Sequence, residues 1–168
     1  VFEYSENDIW SELTVFVALD ASIKFSVLKV RNNSDRSRKL SATGYVEWVL
    51  GDLKSKTTQH ITTEIDLING TLCARNPYSA EFSKNVAFFD VDERMHSCSG
   101  NRGEFLGRNG TQRNPEALTR VRLSGKVGAA LDPCAAIQIP FELGAGQQRE
   151  IIFRLGVGSN STTVGALI

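Results

Sequence analysis

Proton-transfer chemistry in this chain would have to pass through His60 or His96, because a sequence of 168 residues offers no other histidine. Nucleophilic catalysis needs a Ser, Cys or Thr, a base to take its proton, and a third group to orient that base. His60 stands among threonines and reads as an ordinary strand residue. His96, in Met95-His96-Ser97-Cys98-Ser99, is accompanied by no Gly-x-Ser-x-Gly elbow. Glycosidic cleavage needs two carboxyl groups facing each other across a sugar, one of them kept protonated. Glu81, Asp90 and Glu104 could supply carboxylates, but spacing along strands and loops does not set that geometry. Asp90-x-Asp92-Glu93 lacks the glycine and terminal bidentate Glu of a calcium loop, and Gly156-x-Gly158 opens no helix that could cradle a phosphate. No metal or cofactor is expected.

Binding chemistry is better represented. Residues 102–115 read Arg-Gly-Glu-Phe-Leu-Gly-Arg-Asn-Gly-Thr-Gln-Arg-Asn-Pro, with three arginines, three glycines and one apolar pair. Glycines, an Asn-Gly step and a proline prevent such a stretch from forming the interior of a strand or helix, so it is expected as a loop. Phe105 and Leu106 would anchor it, while Arg102, Glu104, Arg108 and Asn109 point outward as hydrogen-bonding groups suited to a polyhydroxyl or anionic ligand. A solvated connection with one hydrophobic pin is the plainer alternative. Among the aromatic residues able to stack on a sugar face, Trp48 lies on the apolar side of its segment and is expected in the core. Tyr78 stands in a Pro-containing loop and is expected at the surface.

The elements that must position these residues read as short strands. Segments 9–18, 23–31, 40–50, 59–66, 71–74, 86–91, 137–143 and 150–155 are rich in β-branched and aromatic residues, with turn signals between them. Segments 23–31 and 40–50 look like a hairpin around residues 32–37. Segments 59–66 and 71–74 look like a second one across Asn69-Gly70, and 137–143 with 150–155 like a last pair around Gly144-Ala145-Gly146. Pro140 places its strand at an edge or bulge, and Asn114-Pro115 suggests a capped helical turn. About eight strands and almost no helix argue an all-β antiparallel sandwich, one domain over residues 1–168.

Nineteen basic and nineteen acidic side chains cancel, so no nucleic-acid partner is suggested. Three widely spaced cysteines, Cys73, Cys98 and Cys134, form no disulfide framework and fit a reducing compartment. The four Asn-x-Ser/Thr sequons read as chance, and no run reaches transmembrane length. The strand and turn pattern alone would also allow an immunoglobulin-like interaction or adhesion module.

Several segments, laid side by side, resemble one family. They are Leu13-Thr14-Val15-Phe16-Val17, Tyr45-Val46-Glu47-Trp48-Val49-Leu50-Gly51, Ala74-Arg75-Asn76-Pro77-Tyr78, Glu104-Phe105-Leu106-Gly107-Arg108-Asn109-Gly110 and Asp132-Pro133-Cys134-Ala135-Ala136. Together they resemble the β-sandwich region of cyclic β-1,2-glucan synthases, of glycosyltransferase family 36 type. That region is similar to the amino-terminal sandwich of cellobiose and chitobiose phosphorylases. The resemblance implies a super-sandwich of the galactose mutarotase kind, entered here inside the domain and excerpted from a longer chain. An (α/α)6 barrel of the same polypeptide would carry catalysis, so the segment would be inactive alone. A β-glucan or disaccharide would be the ligand, with Arg108 the first choice for a contact and Arg102, Glu104, Asn109 and Tyr78 beside it. The resemblance also implies a soluble segment on the cytoplasmic side, in a parent that could be anchored in the inner membrane, and leaves a homodimer open.

Overall fold

The computed structural model describes residues 1–168. Ten strands form two antiparallel sheets, and every pairing between neighbours is antiparallel. The strands are β1 (Phe2–Glu6), β2 (Ile9–Val17), β3 (Ile23–Asn32), β4 (Arg38–Glu47), β5 (Thr62–Ile65), β6 (Leu72–Arg75), β7 (Val86–Val91), β8 (Ser97–Asn101), β9 (Pro133–Leu143) and β10 (Gln148–Gly158). The larger sheet runs β1-β2-β3-β10-β7-β6-β5 and the smaller one β4-β9-β8. Three short helices join them: α1 (Lys54–Thr57), α2 (Arg102–Leu106) and α3 (Ser161–Leu167).

Alternation along each strand decides what the sheets bury. On β4, Ala42, Gly44 and Val46 turn toward the larger sheet, as does Trp48 just after it, while Thr43, Tyr45 and Glu47 turn away. The main core takes Ala42, Ile137, Ile139 and Phe141 from the small sheet and Val30, Phe89, Ile151 and Phe153 from the large one. Phe89 and Phe153 stack at 5.8 Å. A Cβ on Gly44 would lie 2.6 Å from the Phe153 ring, so only glycine lets the small sheet close onto this pair. Strand β7 is buried on both faces, because α3 covers its far side through Val164 against Val86 and Phe88. Asn160 caps α3 by accepting from the Thr163 N–H at 2.9 Å.

Two expected hairpins are instead crossings between sheets. Strands β3 and β4 do not pair: β3 lies between β2 and β10, whereas β4 pairs with β9. Strands β9 and β10 likewise belong to different sheets. Both crossings meet at Asn32, which is fully buried. Its amide donates to the carbonyls of Arg36, Leu143 and Gly144, and its carbonyl accepts from Ser34. A turn cluster with one buried asparagine thus serves as a corner, since its side chain satisfies backbone groups that no ladder reaches.

The β5–β6 hairpin forms as expected, with Gly70 at φ 75°. The β1–β2 hairpin was not expected; it turns on Asn7 and Asp8, both at positive φ, a conformation these two residues tolerate. Residues 54–60 are helical turns where a linker and the start of a strand were expected, so His60 sits on a 3-10 turn. Pro140 lies past Gln138, the last β9 residue paired with β8 on that side, so β9 has a single neighbour there. Asn114 forms an isolated bridge with Thr111 instead of a cap, and the turn after Pro115 is 3-10 over Glu116–Thr119. All three cysteines are free and buried, and Trp48 is a core residue. No helix is long and apolar enough to cross a membrane.

Candidate functional site

Residues 102–125 lie across the outer face of the small sheet. Phe105 and Leu106 are buried there with Ala117, Leu123 and Ala136, and the Phe105 ring stacks on Tyr45 at 4.3 Å. The expected anchor is therefore real. Residues 102–106, expected as part of a loop, form instead the short helix α2, whose N-cap Asn101 accepts from the Gly103 N–H at 3.0 Å; the irregular part begins at Gly107.

The polar residues of the same stretch divide into two groups. Glu104 does not point outward as expected. Its carboxylate accepts from the hydroxyls of Ser99 and Ser124 and from the Ser124 N–H at 3.0 Å, and lies 3.6 Å from Arg120. Burial pushes its pKa up, but those hydrogen bonds and Arg120 outweigh it and hold the carboxyl below its ordinary value. Arg102 is half-committed: its Nε donates to Glu47 at 2.8 Å and its Nη1 to Asp132 at 3.1 Å. Arg108 and Asn109, at the tip, are exposed. Glu104 is engaged as described, and Asp90 is buried against Thr71 at 3.0 Å and against Arg154, so neither carboxylate ties Arg108 down.

Two glycines shape this tip, and the space they leave is filled by the chain itself. A Cβ on Gly110 would sit 1.6 Å from the Leu106 carbonyl oxygen. Gly107 has φ 80°, and a Cβ there would sit 2.2 Å from the Glu116 carboxylate. They turn the loop tightly, which presents Arg108 between them.

Below the loop lies a charge cluster that sequence reasoning missed. Glu47 accepts from Tyr45 Oη at 2.8 Å, from Arg102 and from Lys54 Nζ, and Lys54 also lies 3.6 Å from Asp132. Partial burial pushes the Glu47 carboxyl up, but the donors from Lys54, Arg102 and Tyr45 prevail and hold it at about 2. The hydrogen bond that Arg102 donates to Glu47, outweighing partial desolvation, raises the Arg102 pKa, while burial and then the hydrogen bond donated to Glu47 raise that of Tyr45. Glu47 is thus anionic, Arg102 cationic and Tyr45 neutral at neutral pH, and none of the three exchanges a proton there. The cluster borders a groove of about 520 Å³ lined by Thr43, Tyr45, Glu47, Phe105, Gln112 and Leu118. The Thr43 hydroxyl is buried beside it without a partner. The two carboxylates that Arg102 meets are 55 and 30 residues from it in sequence, so no local motif could signal the cluster.

Neither histidine lines the groove under the loop. His96 contacts the carbonyls of Glu93 at 2.7 Å and Gly70 at 3.3 Å, and His60 lies 4.6 Å from the Tyr78 ring. Asp90, Asp92 and Glu93 turn to Arg154, the Ile152 N–H and Arg149 respectively. Glu81 is exposed. Tyr78 is exposed as expected, but lines a separate cavity that shares no residue with the groove under the loop.

A two-sheet antiparallel sandwich presenting a pinned, arginine-bearing loop on the outer face of its smaller sheet defines an all-β sandwich domain. The chain belongs to the glycosyl hydrolase 94 supersandwich domain family, whose model matches residues 1–168. It is 37% identical over 164 residues to the cyclic beta-(1,2)-glucan synthase NdvB of Rhizobium meliloti, a match covering 97% of this chain and 6% of that protein. It is 28% identical to the N,N'-diacetylchitobiose phosphorylase of Vibrio furnissii over 168 residues, covering 95% of this chain and 20% of the phosphorylase. The cellobionic acid phosphorylase of Neurospora crassa is also 28% identical, over 163 residues, with 93% and 20% covered. The chain thus spans a fifth or less of these relatives. Among solved structures, the polysaccharide lyase BACCELL_00875 superposes with TM-score 0.56 at 9% identity, over 96% of this chain and 22% of the lyase, a likeness of fold. The family replaces the immunoglobulin-like alternative: this is a sandwich domain of glycan-processing enzymes.

Proposed function

We propose that this chain is the non-catalytic sandwich of a cyclic β-1,2-glucan synthase or disaccharide phosphorylase type of enzyme, and that its loop tip completes a sugar pocket. The pocket itself would belong to an (α/α)6 barrel elsewhere in the same polypeptide. The observation carrying this reading is the contrast within residues 102–110: Glu104, Phe105 and Leu106 are consumed by the fold, while Arg108 and Asn109 are presented to solvent on a tight turn. Presenting an exposed guanidinium from a constrained backbone turn lowers part of what a ligand must supply to immobilise it. A guanidinium fork also matches vicinal sugar hydroxyls or a phosphate. Arg102 would support it from the Glu47–Asp132 cluster, with Glu104 holding the loop base from within. The fixed charges and backbone-bonded His96 support a binding role over catalysis. The parent would work on the cytoplasmic side of the inner membrane, as a monomer or homodimer, without nucleic acid.

The test is turnover of the full-length enzyme with a β-linked glucan or disaccharide as substrate. Arg108→Ala should lower kcat/KM by the equivalent of about 1.5–3 kcal/mol, the scale of one hydrogen bond to a charged group. Unchanged kcat/KM in a folded variant would remove the loop from the pocket.

A further inference from the structure

The cavity that holds Tyr78 is built from elements remote in sequence. Residues 50–52 after β4, the 3-10 turn at Thr58–His60 and the β6–β7 connection wall it, over a floor of Ala87 and Val157, which are partners in register. Its volume is about 850 Å³. The connection is clamped rather than loose. Asn76 is buried, its amide donates to the Leu50 carbonyl at 3.0 Å, and its side-chain oxygen accepts from the Tyr78 N–H at 3.1 Å. Farther along, the Phe82 N–H donates to Ser79 Oγ at 3.0 Å.

This clamp holds aromatic surface in water. Tyr78 is 77% exposed with one side against His60, at 4.6 Å between centroids and 35° between planes, and Phe82 is 53% exposed on the same rim. Single exposed aromatic residues are commonplace. Here three rings border one crevice together with the carboxylates of Glu81 and Asp52 and the amide of Asn85. A flat apolar face ringed by acceptors and donors matches a pyranose, whose C–H face stacks on an aromatic ring while its hydroxyls reach carboxylates and amides at the edge. Pockets that combine apolar lining with a few polar groups and pre-formed walls are the usual form of small-ligand sites.

We infer that this crevice is a second sugar-binding site, taking a pyranose unit of a glycan by stacking on Tyr78, separate from the pocket to which the Arg108 loop contributes. The inference rests on the glycan reading above for the identity of the ligand. It does not require Arg108, because the two cavities share no lining residue. Its consequence is that a long glycan could be held at two points of one molecule, raising its effective concentration at the other site.

Isothermal titration of the full-length protein with a soluble β-1,2-gluco-oligosaccharide tests this, in the wild type and in Tyr78→Ala, Tyr78→Phe and Arg108→Ala. Two classes of site are expected in the wild type. Tyr78→Ala should weaken one class by roughly tenfold or more, Tyr78→Phe should retain it because the aromatic face survives, and Arg108→Ala should affect the other class. An isotherm for Tyr78→Ala equal to the wild type would overturn the inference. So would loss of the same class in Tyr78→Ala and Arg108→Ala, which would place both residues in one pocket. If Arg108→Ala alters neither class, the pocket-loop reading fails while the second site stands. Should Tyr78→Ala not fold, 3-fluorotyrosine incorporated at position 78 replaces it. A 19F shift on adding the oligosaccharide supports the site, and an unmoved resonance contradicts it.

Discussion

The root and the tip of residues 102–115 are neighbours in sequence but have opposite relations to the rest of the molecule. At the root, Phe105 and Leu106 are buried on the small sheet, Glu104 is enclosed by Ser99 and Ser124, and Arg102 lies between two carboxylates. At the tip, Arg108 and Asn109 are exposed and only the backbone around them is constrained. The difference teaches that charge in a loop does not by itself indicate a ligand contact. Two of the four polar residues that looked equivalent in sequence are structural, in whole or in part, because the fold supplies them with partners from β4, β8 and the segment before β9.

The largest expected effect breaks the root. Phe105→Ala removes a buried ring stacked on Tyr45 and should cost about 3–5 kcal/mol of stability, read as a fall in denaturation midpoint. A loss below about 1 kcal/mol would mean that the root is not anchored as described.

Next comes the acid response of the cluster beneath it. Glu47 has its carboxyl lowered from 4.5 to about 2 in the folded chain, so it binds a proton less readily folded than unfolded. Its contribution is therefore complete above about pH 4.5 and disappears as pH falls toward 2. Stability measured across that window should drop by roughly 2 kcal/mol more in the wild type than in Glu47→Gln, whose side chain does not titrate. Parallel profiles would show that Arg102 and Lys54 do not hold the Glu47 carboxylate.

The cysteines give a sharper contrast without mutation. Burial, as the leading cause, pushes Cys134 beneath the loop root up to about 12 and Cys73 up to about 11, and raises Cys98 as well. A thiol reagent at pH 8 should label none of the three in the folded protein and all three after denaturation. Rapid labelling of Cys134 under native conditions would show that the root opens.

What was legible in the sequence follows the range of the interactions. Strand positions were readable because apolar alternation is local; β7 was expected at residues 86–91 and occupies them. Pairing was less readable. The corner at Asn32 looks like a hairpin turn in sequence, and only the sheet partners of β3 and β4 show that the chain changes layer there. Short strands such as Ser97–Asn101, built from small polar residues, carry no periodic signal, and α3 was missed although Asn160 stands at its cap. In the candidate site, the anchoring pair and the exposure of Arg108, Asn109 and Tyr78 were legible from residue type. The Glu47 and Asp132 partners of Arg102, and the Lys54 that shares them, were not, because separate segments converge there.

The smallest expected stability effect lies at the tip. Arg108→Ala should change stability by no more than about 0.5 kcal/mol, as for an exposed residue without partners, and Asn109→Ala likewise. Arg102→Ala should cost more than either, since it leaves Glu47 and Asp132 short of a donor.

The most direct test of the account is kcat/KM of the full-length enzyme carrying Arg108→Ala, with its melting temperature recorded on the same preparation. The account predicts an unchanged melting temperature and a loss equivalent to about 1.5–3 kcal/mol in transition-state stabilisation. A melting temperature that falls while kcat/KM stays at the wild-type value would contradict it, because Arg108 would then belong to the fold and not to the ligand.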